Sequence, residues 1–373
     1  MPRALLVGDF GQPEPGSEAL IEAFVSSLPE DWSSIVTSSD PWITASRHDV
    51  DAVPPLNARS APRQARSVDA VVLAGGSPLR SRGPRTGRPV SERVRSIAPL
   101  SVAAQALGKP VAGVGVGADS LPGRSSRAVA RGLVRQADLL VLRDEESADA
   151  LADAGAHPPF RVGADPTWAL LDEPVTQTAA APRAVRVVLQ HPAEPPFDAD
   201  FLVEGLAAVQ GGGLNVELQP WFVIDDGADD LTVALQVAGR LPGAVILDPP
   251  TGLIEARDSM ASSHVVVGMR FHALLAAASA GAPFVALSPT PGPRGLARRF
   301  TQQALAHDAT PARLAEAVFA AAAGPAPGAA AVRSEIASAE EGFRLLRLLL
   351  DEGRSEGADE ITGLPLRPAT WVQ

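Results

Sequence analysis

One stretch constrains the fold of this chain more than any other: Val265-Val266-Val267-Gly268-Met269-Arg270-Phe271-His272-Ala273-Leu274-Leu275-Ala276-Ala277. Its first three residues are apolar and β-branched, the mark of a strand buried on both faces of a parallel sheet. The alanine- and leucine-rich run that follows is a strong helix former. Gly268 marks the turn between them. Arg270 and His272 therefore fall at the carboxyl end of a strand and in the first turn of a helix, where open α/β sheets bind ligands. The helix amino end adds free N–H groups and a dipole that favours an anion. A guanidinium two residues from an imidazole reads as an anion clamp beside a proton donor. The alternative is a surface arginine next to a satisfied core histidine.

The rest of the chain repeats this strand–turn–helix theme. Residues 4–7 read as a strand, 8–16 as a Gly/Pro loop, and the next stretch as a helix that Ser17 can cap. Residues 69–74 and 110–117 read as further strands, each ending in a turn, and 137–147 as a strand followed by a capped helix. The arginine-rich segment 80–88 reads as a solvated loop or as a basic lip for an anionic substrate. Gly113, Gly115 and Ala118 fit the dinucleotide fingerprint. They lie mid-domain, and no acidic residue closes the following strand, so no nicotinamide or flavin cofactor is expected. Residues 173–183 read as a linker between an amino-terminal domain, 1–172, and a carboxy-terminal domain, 184–352. The second domain ends in an amphipathic helix over 333–350 that is expected to cross back to the first, and 353–373 reads as a loose tail. The fold class expected is α/β: two Rossmann-like domains facing each other across a cleft.

Composition narrows the function. The 373 residues suffice for two sizeable cores. A formal net charge of −11 argues against a nucleic-acid partner. The chain has no cysteine, which excludes disulfides and thiolate metal sites, and no other metal-binding cluster is expected. Lys109 is the sole lysine. No signal-like segment precedes the first strand, and no uncharged apolar run reaches ~20 residues, so a cytoplasmic protein is expected.

Several of these stretches resemble the polysaccharide pyruvyl transferase family. Gly268-Met269-Arg270-Phe271-His272-Ala273, then Gly281-Ala282-Pro283, resemble the family's G-M-R-x-H-A and G-x-P. Arg143, Asp144 and Ser147, followed by Asp165-Pro166, resemble its R-D-x-x-S and D-P; these side chains read as structural ties between strand ends and helix starts. Asp69 through Ser77 resemble D-x-V-I-x-G-G-G-S, and Pro220 with Asp225 and Asp226 resembles a strand-P…D pattern. Gly8, Gly11, Gly16, Glu18 and Ala19 match G-Y-Y-G-x-G-N-x-G-D-E-A without a gap. There Glu14 takes the asparagine place and Ser17 the aspartate place. A carboxylate at 14 would repel an anion, so that loop is expected to hold the acceptor sugar, or nothing. Two more departures stand out. Gln190, with His191, ends a strand where the family has arginine, and Gly292 stands for the lysine of Y-D-P-K, with Arg294 the nearest cation.

The resemblance implies the GT-B arrangement, with the acceptor on the first domain and the donor on the second. It implies transfer of an enolpyruvyl group from phosphoenolpyruvate to a sugar of a cell-wall or surface polysaccharide, ending in a pyruvate ketal, without a cofactor. The acceptor would be a polysaccharide or a lipid-linked oligosaccharide, the latter bringing peripheral contact with the inner face of the membrane. His272 would be the general acid or base and Arg270 would hold the donor's anionic group. Arg294, Gly268, Gly11, Gly16, Ser17, Glu18, Gln190 and Glu255 would line the substrate site, Glu255 unless it is merely a solvated helix residue. Two other readings stay open: a non-catalytic carbohydrate-binding relative, and a GT-B glycosyltransferase whose sugar nucleotide places its diphosphate on the same helix end.

Overall fold

In the computed structural model the described residues are 1–79, 92–121, 123–157, 159–171, 173–174, 183–191, 197–224 and 229–356, with side chains described for all of these except 92–96 and 352–356. The segments 80–88 and 225–226 singled out in the sequence, most of the linker and the end of the tail lie outside them. The chain groups into two compact units. Residues 1–12, 20–170 and 335–373 form the first, and residues 13–19 and 171–334 the second.

The first unit is built on seven strands: β1 (Arg3–Phe10), β2 (Ser33–Ser38), β3 (Asp51–Val53), β4 (Ala70–Ala74), β5 (Val111–Val116), β6 (Leu139–Leu142) and β7 (Arg161–Val162). They are parallel and run in the order β3-β2-β1-β4-β5-β6-β7. Its helices are α1 (Pro15–Ser27), α2 (Pro41–His48), α3 (Ala61–Arg66), α4 (Glu92–Ala106), α5 (Arg124–Gln136) and α6 (Glu145–Asp153), α1 having its first turn among residues grouped with the second unit. β4, β5 and β6 are buried at every position, as strands covered by helices on both faces must be. The sole lysine, Lys109, is structural: its Nζ donates to the carbonyls of Ala65, Arg66 and Val68, where a cation meets the negative end of α3.

The second unit alternates strand and helix without a break in pattern: β8 (Ala184–Val188), α7 (Ala199–Gly211), β9 (Asn215–Gln219), α8 (Asp230–Ala238), β10 (Val245–Ile246), α9 (Leu253–Met260), β11 (Val265–Gly268), α10 (Phe271–Ser279), β12 (Phe284–Leu287), α11 (Pro291–Arg299), β13 (Gln303–Leu305) and α12 (Pro311–Ala323). Its six parallel strands run in the order β10-β9-β8-β11-β12-β13. A last helix, α13 (Ala329–Glu356), begins in the second unit and from Glu335 onward belongs to the first.

In both sheets the order reverses direction about the first strand, between β1 and β4 and between β8 and β11. Such a reversal opens a crevice at the strands' carboxyl ends. In the first unit a pocket lies there, lined by Val7, Gly8, Asp9 and Phe10 from β1 and by Gly75, Ser77 and Pro78 after β4.

The loop before α1 differs from the sequence expectation. β1 runs on past Gly8 to Phe10, and α1 begins at Pro15, whose fixed φ suits a first helical position. Ser17 lies inside the helix. Its backbone N–H and its hydroxyl both donate to Glu14 Oε2, at 2.8 and 3.1 Å, so Glu14 is the cap. Glutamate reaches the third amide of the helix from the capping position because its side chain is long enough to fold back.

Candidate functional site

The candidate site is the carboxyl edge of the second unit's sheet, where β8 and β11 part. Register fixes it: Gly268 pairs with Val188, and the Met269 amide donates to the Val188 carbonyl, at 3.1 Å. Leu189, Gln190 and His191 leave β8 beside Arg270. β11 is aliphatic and wholly buried, and α10 buries all of residues 273–279, mostly alanines that let the helix lie close on the sheet. Gly268 is required by that packing, since a Cβ there would come 2.5 Å from Leu274 Cδ2. The short, fully packed turn leaves Arg270 as the residue before α10 and His272 in its first turn.

The guanidinium of Arg270 is committed within the protein. Its Nε and Nη2 donate to Asp230 Oδ2 and Oδ1 at 2.9 and 2.7 Å, and Nε also approaches the Leu189 carbonyl at 3.3 Å. The Arg270 side chain is 16% exposed and that of Asp230 0%. The Asp230 carboxylate accepts three further bonds, from the amides of His191 (2.8 Å), Trp221 (3.2 Å) and Phe222 (2.9 Å). One carboxylate thus ties together the ends of β8 and β9, the start of α8 and the residue preceding α10. The preceding residue, Asp229, caps α8 through the Thr232 amide and accepts from Ile224. Sequence reasoning singled out Asp225 and Asp226 and passed over Asp230. An aspartate in a helix's first turn is an ordinary dipole partner, and nothing local marks it as the ligand of an arginine forty positions away.

The imidazole of His272 packs against the backbone of Gly16: an ideal Cβ at Gly16 would lie 2.0 Å from Nδ1. Its ring also meets Phe271 edge-on, with centroids 5.6 Å apart. Gly16, Ser17 and Glu18 come to this unit with residues 13–19, so they share it with Gly268, Arg270, His272, Gln190, Glu255 and Arg294. Gly11 does not. It belongs to the first unit, where a positive φ of 85° makes the turn after β1, and a Cβ would come 2.2 Å from Ser38 Oγ.

The remaining candidates divide. Glu255 is exposed and bonds the Thr251 amide and hydroxyl; those bonds lower its carboxyl below the ordinary range. Gln190 is partly buried just past β8. Gly292 and Pro293 are buried at the start of α11, whereas Arg294 is exposed, with no ion pair to a described residue. α7, α8 and α12 carry side-chain caps from Asp198, Asp229 and Thr310. α10 and α11, which follow the adjacent strands β11 and β12, have none. Two neighbouring helix amino ends therefore carry no side-chain cap at this edge, and Arg294, near the start of α11, makes no ion pair to a described residue.

The first unit gathers the glycine-rich, R-D-x-x-S and D-P stretches at its own sheet edge. The Gly117 amide donates to the Gly76 carbonyl at 2.7 Å, and the Ala118 amide to Ser147 Oγ at 3.0 Å. Asp144 caps α6 and pairs with Arg143 at 2.8 Å. Burial alone would lower the Arg143 pKa, but the charges of Asp144, Asp165 and Asp119 raise it. These groups brace the sheet edge. Among the described residues no group of three or more His, Asp or Glu side chains could hold a metal ion, and no helix is long and apolar enough to cross a membrane.

The family model described as polysaccharide pyruvyl transferase matches residues 16–291. No curated protein matches the chain. Among solved structures, the S. aureus MnaA–UDP co-structure is 10% identical, covering 94% of this chain and 96% of its own, with a TM-score of 0.63. A putative UDP-N-acetylglucosamine 2-epimerase from Listeria monocytogenes is 12% identical, covering 94% and 97%, with a TM-score of 0.64. Anabaena Alr3699/HepE in complex with UDP is 13% identical, covering 94% and 99%, with a TM-score of 0.61. At such identities the likeness is one of fold: two Rossmann-like α/β domains.

Proposed function

The chain belongs to the polysaccharide pyruvyl transferase family, and from that premise we propose that it transfers the pyruvyl group of phosphoenolpyruvate to a sugar, forming a ketal. The acceptor on this reading is a cell-wall or surface polysaccharide or its lipid-linked precursor, met at the inner face of the membrane. The chemistry makes two demands. The donor's carboxylate and phosphate need positive potential. Its methylene carbon must gain a proton while a sugar hydroxyl attacks the adjacent carbon, after which a second hydroxyl displaces inorganic phosphate.

The observation that carries the proposal is the pair of uncapped helix amino ends, α10 and α11, with His272 in the first turn of one and Arg294 in the first turns of the other. The open N–H groups of α10 and the dipoles of both helices suit an anionic donor; in α11, where Pro291 and Pro293 carry no N–H, the Gly292 amide and the Arg294 charge serve it. Arg270 has a different part from the one its sequence suggested. Paired with Asp230, it offers its remaining nitrogen, Nη1, as a hydrogen-bond donor rather than an uncompensated charge, and it anchors the turn that aims His272. His272 then gives the methylene its proton, with the ring turning off the Gly16 backbone to do so.

The test is release of inorganic phosphate from phosphoenolpyruvate in the presence of sugar acceptors, with the methyl ketal product followed by proton NMR. Calorimetry against phosphoenolpyruvate and a panel of UDP-sugars runs beside it, since several fold neighbours were crystallised with UDP. Binding of a UDP-sugar with no response to phosphoenolpyruvate would replace this reading with the sugar-nucleotide one. Sugar binding without either donor would leave a carbohydrate-binding relative.

A further inference from the structure

Two of the chain's departures from its family pattern meet in one hydrogen-bonded pair. The family motif that this stretch resembles has asparagine and aspartate where this chain has Glu14 and Ser17. Glu14 Oε2 accepts from both the amide and the hydroxyl of Ser17. The carboxylate that position 17 lacks is thus delivered to position 17 by residue 14. Glu14 is only 9% exposed, so it is held in place rather than adrift in solvent. Its second oxygen, Oε1, has no hydrogen bond to any described residue. Two positions further on, in the first turn of α1, Gly16 lies against His272 Nδ1, and both residues belong to the same compact unit.

We infer that Glu14 is the base that takes the proton from the attacking acceptor hydroxyl. The inference rests on the pyruvyl-transfer reading, which requires such a base. The addition step forms a C–O bond at the donor's central carbon and a C–H bond at its methylene. The hydroxyl proton passes to Glu14 Oε1, and the methylene takes its proton from His272. Charge balances, and no other reactant is needed. The two carbons are bonded neighbours, so the two proton-handling groups must lie close together; Glu14 stands two residues before the glycine against which the imidazole packs. The anchoring through Oε2 also fixes the class of acceptor at this point. The carboxylate occupies the N–H and hydroxyl that would otherwise bind an anion, so the acceptor's contact here is a neutral hydroxyl and not a phosphate or a uronate.

Glu14→Gln provides the discriminating variant, because an amide oxygen can still accept from Ser17 while the side chain can no longer take a proton. Thermal denaturation should be nearly unchanged. The kcat for phosphate release should fall roughly 10²-fold or more with little change in the donor's KM. Glu14→Asn should lose activity likewise, and Glu14→Asn combined with Ser17→Asp, which returns the carboxylate to position 17, should recover most of it. Full turnover by Glu14→Gln, or failure of the double variant to recover activity while remaining folded, would overturn the assignment. A wild-type protein that bound phosphoenolpyruvate but released no phosphate with any acceptor would overturn the pyruvyl-transfer reading and the base assignment together, an outcome distinct from either of those.

Discussion

Asp230→Asn is the substitution whose cost the structure defines best. The aspartate accepts five hydrogen bonds, two from Arg270 and one each from the amides of His191, Trp221 and Phe222. Asparagine keeps one oxygen and replaces the other with a donor. If the new amide nitrogen takes the place of Oδ2, it faces three N–H groups; in the place of Oδ1 it faces two. The second arrangement costs less. It still leaves His191 without its acceptor and the Arg270 guanidinium without a counter-charge in a setting where only 16% of that side chain meets solvent. Breaking a buried pair from one side costs about 3–5 kcal/mol. In a domain of this size that is a fall of about 6–20 °C in the melting temperature. Differential scanning calorimetry of the wild type, Asp230→Asn, Arg270→Gln and the double variant would measure it. Removing the stranded charge should restore part of the loss, so the double variant should melt above Asp230→Asn. A single-variant shift under about 2 °C, less than 1 kcal/mol, would refute the claim that Arg270 is internally neutralised.

Three other outcomes follow from the same geometry. Gly16→Ala places a methyl 2.0 Å from His272 Nδ1, so the ring or the loop must move; a loss of about 1–3 kcal/mol and a displaced His272 signal in NMR are expected. Arg294→Gln should weaken phosphoenolpyruvate binding about tenfold or more by calorimetry and leave the melting temperature unmoved, because the side chain is exposed and makes no described ion pair. Burial pushes the Asp144 carboxyl up, but Arg143 and the bonds from Ser147 outweigh it and hold its pKa below the ordinary 3.8. On acidification the unfolded chain therefore takes up this proton first. The stability Asp144 contributes is complete above about pH 4 and is lost as the pH falls further. Denaturant melts between pH 5 and 2 should show a shallower acid limb in Asp144→Asn than in the wild type.

The sequence by itself determined the class of fold and the position of the candidate site. Aliphatic runs such as 265–267, glycine turns and alanine-rich helices are signals within a dozen residues, and burial on both faces leaves little choice but a parallel sheet covered by helices. The placement of Arg270 and His272 followed, because a strand's carboxyl end and the next helix's first turn are adjacent by covalent geometry alone. Tertiary structure decided which charges remain available. Arg270 looked like an open clamp until strand order brought Asp230, forty positions earlier, onto it. Lys109 finds its three carbonyl partners more than forty positions away. Even the short-range cap of α1 escaped the sequence, since Ser17 is the commoner capping residue and only the path of the chain at Pro15 shows that Glu14 reaches back to it. Hydrophobic pattern is local and repeats, so it can be read along a line. An ion pair depends on which strands become neighbours, and that is settled only when the sheet has formed.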